Sequence, residues 1–306
     1  TCVMQFDEAK GWMVGPENGG MACMFTMMNN ARLGVGVEGL GVAEAATQKA
    51  VAYAMDRKQG RTPLGDKGTG AIIDHADVRR MLMTMKALTS SSRSIALDTA
   101  FSIDMSKATE DAAWAARAAF LTPICKAFCT DIGNEVAHLG VQVHGGMGFV
   151  EETGAAQFSR DVRVTAIYEG TNGIQAMDLV GRKLMDGGEA GKALLGEIEA
   201  NAFAAANDAL GVKVSAAATQ VAKATDWMLG TDTLNDRFAG AVPYLRAWGL
   251  LLGGHYLLKA AEADAAHLPL ARFHISQLMP QIPALLAAAT AGAEQLYALD
   301  AEVLSA

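Results

Sequence analysis

The chain has 306 residues, 51% hydrophobic and 19% charged, with a formal net charge of −8. That composition suits a sizeable buried core in about two domains and excludes a disordered profile, while the acidic balance lacks the basic footprint that nucleic-acid binding leaves. The four cysteines, Cys2, Cys23, Cys125 and Cys129, form neither a CxxC pair nor a disulfide-dense pattern, so a reducing compartment is expected.

Residues 1–20 read as the end of a β region. Cys2-Val3-Met4 and Trp12-Met13-Val14 flank a turn at 8–11, and Gly15-Pro16 closes it. A lone hairpin is marginal, so this segment is expected to be the remnant of a larger sheet. Thr1 stands where an initiator methionine would, and no signal-peptide pattern follows, so processing or truncation is expected.

From Met21 the pattern is helical. A first long helix, rich in Ala, Gly and Met, is predicted to run to about Lys58 and stop at Gly60, with Pro63 beyond. A second begins at Asp74 or Asp77 and carries Val78, Met81, Leu82, Met85 and Leu88 on one stripe. A third covers roughly 107–139, with Pro123 as a candidate bend. In it, Cys125 and Cys129 share a face and read as small buried hydrophobes. Gly187-Gly188 marks a boundary. Alanine-rich helices are predicted near 190–207, 211–229, 237–262 and 268–300, with a loop at Gly230-Thr231-Asp232 and an interruption at Pro280 and Pro283.

The expected fold is all-α. An antiparallel helical bundle covers 21–187, an additional helical domain covers 188–306, and a short β remnant covers 1–20. The longest apolar run, around 248–254, is too short for a bilayer span, which takes about 20 residues. A cytoplasmic protein handling small molecules is the class that fits.

Gly34, Gly36 and Gly39 satisfy GxGxxG, but no strand precedes them and 29–54 reads as one helix. They are assigned to close helix–helix contact, not to a dinucleotide loop. The six histidines form no HExxH and no zinc-ligand spacing with cysteine, and no GxSxG elbow occurs, so no metal site is expected.

The informative stretch is 139–183. Gln142 precedes His144-Gly145-Gly146-Met147-Gly148, a glycine-dense turn where backbone can approach a ligand closely. Tyr168-Glu169-Gly170-Thr171-Asn172 then leads into a helix predicted to bury Ile174, Met177, Val180 and Leu184, with Asn172 as its cap and Gln175 three residues on. Glu169 therefore sits just before a helix N-terminus, and Gly170 leaves room for a substrate beside it. On these residues alone two readings stay open, a catalytic base and a capping or salt-bridged surface glutamate.

YAMDRKQG at 53–60, QVHGGMGF and RDVRVTAIYEGTNGIQ, in that order, resemble the C-terminal half of the acyl-CoA dehydrogenases over about residues 1–185. The resemblance implies α,β-desaturation of an acyl-CoA thioester with FAD as cofactor, an electron-transfer flavoprotein as partner, and a homodimer or homotetramer. Glu169 matches the family's α-proton base. Arg57 matches the arginine that contacts the flavin pyrophosphate across a subunit interface. Gln142 and Gly146 match the segment near the adenosine part of FAD, and Thr171 matches a further FAD contact. Arg32, with Asn29 one turn before it, resembles the helix positions that meet the pantetheine.

Two departures stand out. Gly173 replaces a glutamine common after YEGT, and Gln59-Gly60-Arg61 lacks the phenylalanine common in RxxFG. The family's N-terminal helical domain and most of its middle β domain have no counterpart here, so the chain alone is expected to bind FAD poorly and to be inactive. The region after 187, together with YEGTNGIQAMDLVGRKL, resembles the extended bacterial branch that includes 3-methylmercaptopropionyl-CoA dehydrogenases, which implies 3-methylthiopropanoyl-CoA as substrate. The alternatives are a non-catalytic helical assembly module that kept the scaffold, and an acyl-CoA oxidase-like flavoenzyme.

Overall fold

A computed structural model of the chain describes residues 2–64 and 68–306. Helix α1 (Gly20–Asp56) ends where the Arg57 amide donates to the Tyr53 carbonyl and Arg57 turns extended. A short antiparallel pair follows, β1 (Lys58–Arg61) with β2 (Thr69–Ala71), aligning Lys58 with Ala71 and Arg61 with Thr69. Helix α2 (Ala76–Thr109) returns alongside α1. Arg93 meets Glu44 at 2.7 Å, and Thr47 and Thr89 place their hydroxyls 3.4 Å apart.

Glu110 adopts a left-handed conformation (φ 54°) that stops α2. The Asp111 carboxylate then accepts from the Ala113 amide at 2.8 Å and caps α3 (Ala112–His144). The chain has now reversed twice, so α1 and α3 run parallel, and their glycines set the approach. A Cβ on Gly36 would lie 3.0 Å from the Cys125 carbonyl, and one on Gly39 2.8 Å from that of Cys129. The expected helix–helix role holds for Gly36 and Gly39 but not for Gly34, which is exposed with nothing within 4 Å of a Cβ, and Cys125 and Cys129 are fully buried as expected.

Beyond α3 come α4 (Gly146–Phe149), α5 (Ala155–Val162) and α6 (Asn172–Asp178), which widens into a π turn over Leu179–Lys183. The remaining helices are α7 (Glu189–Ala204), α8 (Asp208–Gly230), α9 (Leu234–Ala263), α10 (Leu268–Phe273), α11 (Ile282–Ala289) and α12 (Ala301–Ser305). Asn207 and Thr233 cap α8 and α9 through their side chains. Between α10 and α11 the chain passes through a π turn and a 3-10 turn, the interruption that Pro280 and Pro283 imply.

Helix α9 lies antiparallel to α3. Gly249 packs against the Phe128 ring, Trp248 meets Phe120 edge-to-face at 5.0 Å, and Arg246 pairs with Glu135 at 2.6 Å. One hydrophobic cluster runs from Leu40 through Phe128 to Leu251 and Ile282. Polar groups tie the same surfaces together: Arg117 on α3 reaches Asp98 on α2 at 2.8 Å and Glu197 on α7 at 2.7 Å. Asp98 also accepts from the Tyr256 hydroxyl on α9.

The all-α expectation holds, with two corrections. The β remnant expected over 1–20 is not formed: Thr1 lies outside the described residues, and residues 2–14 form no strand and are exposed. A hairpin with nothing to cover a face buries too little to offset the entropy of ordering it. Helix α3 also begins five residues later than predicted, because left-handed Glu110 interrupts the helical pattern. Among the described residues no helix is long and apolar enough to cross a membrane.

Candidate active site

The loop Tyr168-Glu169-Gly170-Thr171 carries two consecutive left-handed residues, Glu169 at φ 57° and Gly170 at φ 83°. Glycine adopts this freely, whereas for a glutamate it costs on the order of 1–3 kcal/mol and must be held by its surroundings. The surroundings do hold it. Gln175 Nε2 reaches back to the Glu169 carbonyl at 3.2 Å, and Lys126 Nζ donates to the Gly170 carbonyl at 2.9 Å. The Tyr168 hydroxyl donates to Glu38 on α1. Within this frame Glu169 Oε2 is buried with no hydrogen-bond partner.

The cap of α6 is Thr171, whose Oγ1 accepts from the Ile174 amide at 3.3 Å; the expected cap, Asn172, is drawn elsewhere. Its Nδ2 donates to Asp131 Oδ1 at 2.6 Å and its Oδ1 accepts from Lys126 Nζ at 2.9 Å, so α3 claims the side chain that would otherwise cap. The predicted stripe holds only toward its C-terminal end, where Val180 and Leu184 are buried. Ile174 is 48% exposed, while Gln175, Ala176, Asp178 and Leu179 face inward. Gln175 must reach the loop and Asp178 must reach α1, and those two bonds turn the helix. Gly170 is needed for its backbone: beyond its φ, a Cβ there would lie 2.8 Å from Gln175 Nε2.

Two charged side chains are buried beneath the loop. Desolvation pushes the Lys126 pKa down to about 8, against the opposing pull of Asp131, with Arg32 lowering it further and Glu169 raising it. Arg32 Nη1 meets Asp178 Oδ2 at 3.0 Å, and Asp178 Oδ1 also holds Arg182 at 2.6 Å. Arg32 is 5% exposed and its Nε has no partner. Arg32 and Asn29 line a cavity of about 390 Å³ with Thr26, Ser106, Lys107 and Lys183. The two residues expected at the pantetheine therefore share one cavity, and Arg32 enters it as half of an ion pair.

Arg57, Gln142 and Gly146 lie elsewhere. Because α1 and α3 run parallel, their C-terminal ends meet, and Tyr53 stacks on His144 at 4.3 Å. His144 Nδ1 is fastened to the Gly140 carbonyl at 2.7 Å. Around this stack Arg57, Gln142 and Gly146 are exposed, and a Cβ on Gly146 would meet nothing within 4 Å. Gly145, at φ 61° and ψ −139°, occupies a backbone region that only glycine enters readily. A guanidinium with paired donors, a side-chain amide and bare backbone form a donor set that fits a dinucleotide pyrophosphate and its neighbours. At about 1.5 Å of rise per residue, Arg57 lies about 37 Å along α1 from Arg32. Glu169, Gly170, Thr171 and Arg32 thus cluster around Lys126, and the other three do not join them.

Lys126 and Asp178 escaped the sequence reading. The usable signal for the first was a single lysine inside FLTPICKAFC, an otherwise apolar helical run. Asp178 reads as a partner of Arg182 one turn on, and nothing local announces Arg32.

Residues 18–185 match the acyl-CoA dehydrogenase C-terminal domain. The chain belongs to the acyl-CoA dehydrogenase family. A second match, described as acetyl-CoA dehydrogenase C-terminal like, covers 194–300 of this family member. The 3-methylmercaptopropionyl-CoA dehydrogenase of Ruegeria pomeroyi is 44% identical over 281 residues, 87% of this chain and 48% of that one. A butyryl-CoA dehydrogenase of Syntrophomonas wolfei is 40% identical over 212 residues, 65% of this chain and 35% of the relative. Among solved structures, the Bacillus anthracis acyl-CoA dehydrogenase complexed with FAD superposes with a TM-score of 0.71 at 19% identity, over 92% of this chain and 51% of that one. Caenorhabditis elegans ACDH-11 in complex with C11-CoA gives 0.73 at 20%, over 86% and 45%. At those identities the likeness is one of fold. The chain spans about half the length, or less, of the curated relatives it matches.

Proposed function

We propose that this chain carries the catalytic base of an FAD-dependent acyl-CoA dehydrogenase, which converts an acyl-CoA thioester to its 2-enoyl-CoA. The Glu169 loop supports this reading most directly, because it holds a carboxylate in a costly conformation with one oxygen buried and unpartnered. That oxygen has a lone pair free to accept the α-proton, so the α C–H bond breaks as the carboxyl O–H forms. The electron pair left on the α carbon is shared with the thioester carbonyl. Bound FAD supplies the acceptor for the β-hydride.

The chain's other residues bind and orient. Arg32 and Asn29 offer donors to the pantetheine amides from the cavity they line. Thr171, next to the base, is assigned as a further contact to FAD. Arg57, Gln142 and Gly146 fit the pyrophosphate and adenosine of FAD, and the separation of Arg57 from Arg32 along α1 suits the FAD of a neighbouring copy in a homodimer or homotetramer. The likeness to the Ruegeria pomeroyi protein favours 3-methylthiopropanoyl-CoA as substrate, and the family resemblance implies an electron-transfer flavoprotein as electron acceptor.

The test is anaerobic titration of the FAD-loaded complete gene product with 3-methylthiopropanoyl-CoA and with butyryl-CoA. Bleaching of the flavin bands with enoyl-CoA formation is expected, faster with the sulfur-containing thioester. An FAD-replete protein that no acyl-CoA bleaches would leave the helical assembly module as the reading. Rapid reoxidation by oxygen with release of hydrogen peroxide would favour the oxidase.

A further inference from the structure

We propose that Lys126 is a positioning residue for the catalytic base, an inference that rests on the reading of Glu169 given above. Lys126 sits on α3 in a stretch whose neighbours Cys125, Ala127, Phe128 and Cys129 are all core residues, and it is itself fully buried. An apolar side chain would fill this space without the desolvation that a buried ammonium suffers. Arg32, the other deeply buried cation of the site, offsets that loss by pairing with Asp178. Among the described residues Lys126 has no carboxylate oxygen within ion-pair distance. Its donors go instead to the Gly170 carbonyl and to Asn172 Oδ1, both at 2.9 Å.

Those two acceptors flank the loop's second left-handed residue and the start of α6. Asn172 is itself fixed from the same helix, through Asp131 at 2.6 Å and the Ala127 carbonyl at 3.2 Å. One face of α3 therefore registers the segment 170–172 by these bonds and through Thr130 Oγ1, 2.9 Å from Asn172 Nδ2. The peptide that Lys126 grips is Gly170–Thr171, one removed from Glu169, so its hold fixes the loop on which the base is mounted. Asp131 and Glu169 on either side supply the negative field that keeps the ammonium in place, while Arg32 opposes it. A charge enclosed among apolar neighbours and applied to a carbonyl of a strained loop fits the orientation of the loop better than packing.

The test uses the FAD-loaded complete gene product as Lys126→Met, with Asn172→Ala as a second variant that removes the Lys126–Asn172 bond and the Asp131 and Ala127 bonds beside it, while leaving the bond to Gly170. Flavin content and thermal midpoint report folding. Expected for both is a kcat about 100-fold below wild type, the size of effect that a misplacement near 1 Å produces, with KM nearly unchanged. The kinetic isotope effect from α-deuterated thioester should rise, because proton transfer becomes the slower step. If Lys126→Met does not fold, Asn172→Ala decides. Folded, flavin-replete variants with kcat and isotope effect like wild type overturn the positioning role while leaving Glu169 untouched. A wild-type protein that no thioester bleaches overturns the reading of Glu169, and this inference with it.

Discussion

Asp178 on α6 grips Arg32 on α1 at 3.0 Å across 146 residues of sequence, with both side chains buried. This pair fastens the helix that follows Glu169 to the helix that lines the neighbouring cavity. Removing one partner of such a pair strands the other charge, which costs about 3–5 kcal/mol. Asp178→Ala should therefore lower the unfolding free energy by roughly that amount. Arg32→Met in the same background should recover part of it. Urea denaturation of the two single variants and the double variant measures the coupling, and strictly additive losses would contradict it.

Glu169→Gln keeps the size of the side chain and most of the loop's bonds, which run through backbone carbonyls. It removes the proton acceptor. Flavin content and thioester binding should persist while the rate of flavin reduction falls by about 100-fold or more, the range general-base removal produces. Stopped-flow absorbance reads this directly.

The α1–α3 approach can be probed with two glycines of the same motif. A Cβ on Gly39 would meet the Cys129 carbonyl and Thr130 Cα at 2.8 Å, both backbone, so Gly39→Ala should destabilise by about 1–3 kcal/mol. Gly34→Ala meets nothing within 4 Å and should be neutral or stabilising by up to about 1 kcal/mol, through helix propensity. Thermal melts of the two variants should move in different directions.

His274 predicts a pH dependence of stability. Burial pushes its pKa down to about 4, with its Nε2 donating to the Leu250 carbonyl at 2.9 Å and Ser91 Oγ 3.2 Å from Nδ1. The folded state thus binds this proton more weakly than the unfolded state, where the pKa is about 6.5. The histidine's contribution is complete above about pH 6.5 and is lost as the pH falls toward about 4, a total of roughly 3 kcal/mol. Urea midpoints at about pH 7.5 and about pH 4.5 should diverge in wild type and converge in His274→Gln.

Much of the helical layout was readable because its signals are local. The stripe from Val78 to Leu88, the stop before Gly60 and the interruption at Pro280 and Pro283 each follow from residues within one or two turns of each other. The position of Glu169 just ahead of a helix N-terminus was readable for the same reason, since the segment that carries it is continuous. The cap of α6 was not. Thr171 and Asn172 are adjacent and both able to cap, and the choice falls to Thr171 only because Asp131 and Lys126 take the Asn172 side chain into α3.

Sequence spacing alone gave a mainly helical chain, glycines suited to close helix–helix contact, and a carboxylate ahead of a short helix. It could not rank Lys126 among its apolar neighbours, join Arg32 to Asp178, or separate Arg57, Gln142 and Gly146 from Glu169. Those outcomes depend on α1 and α3 running parallel and on α6 lying across both. The free energy of burying a charge depends on what meets it in space, and a one-dimensional pattern carries no record of partners more than a hundred residues away.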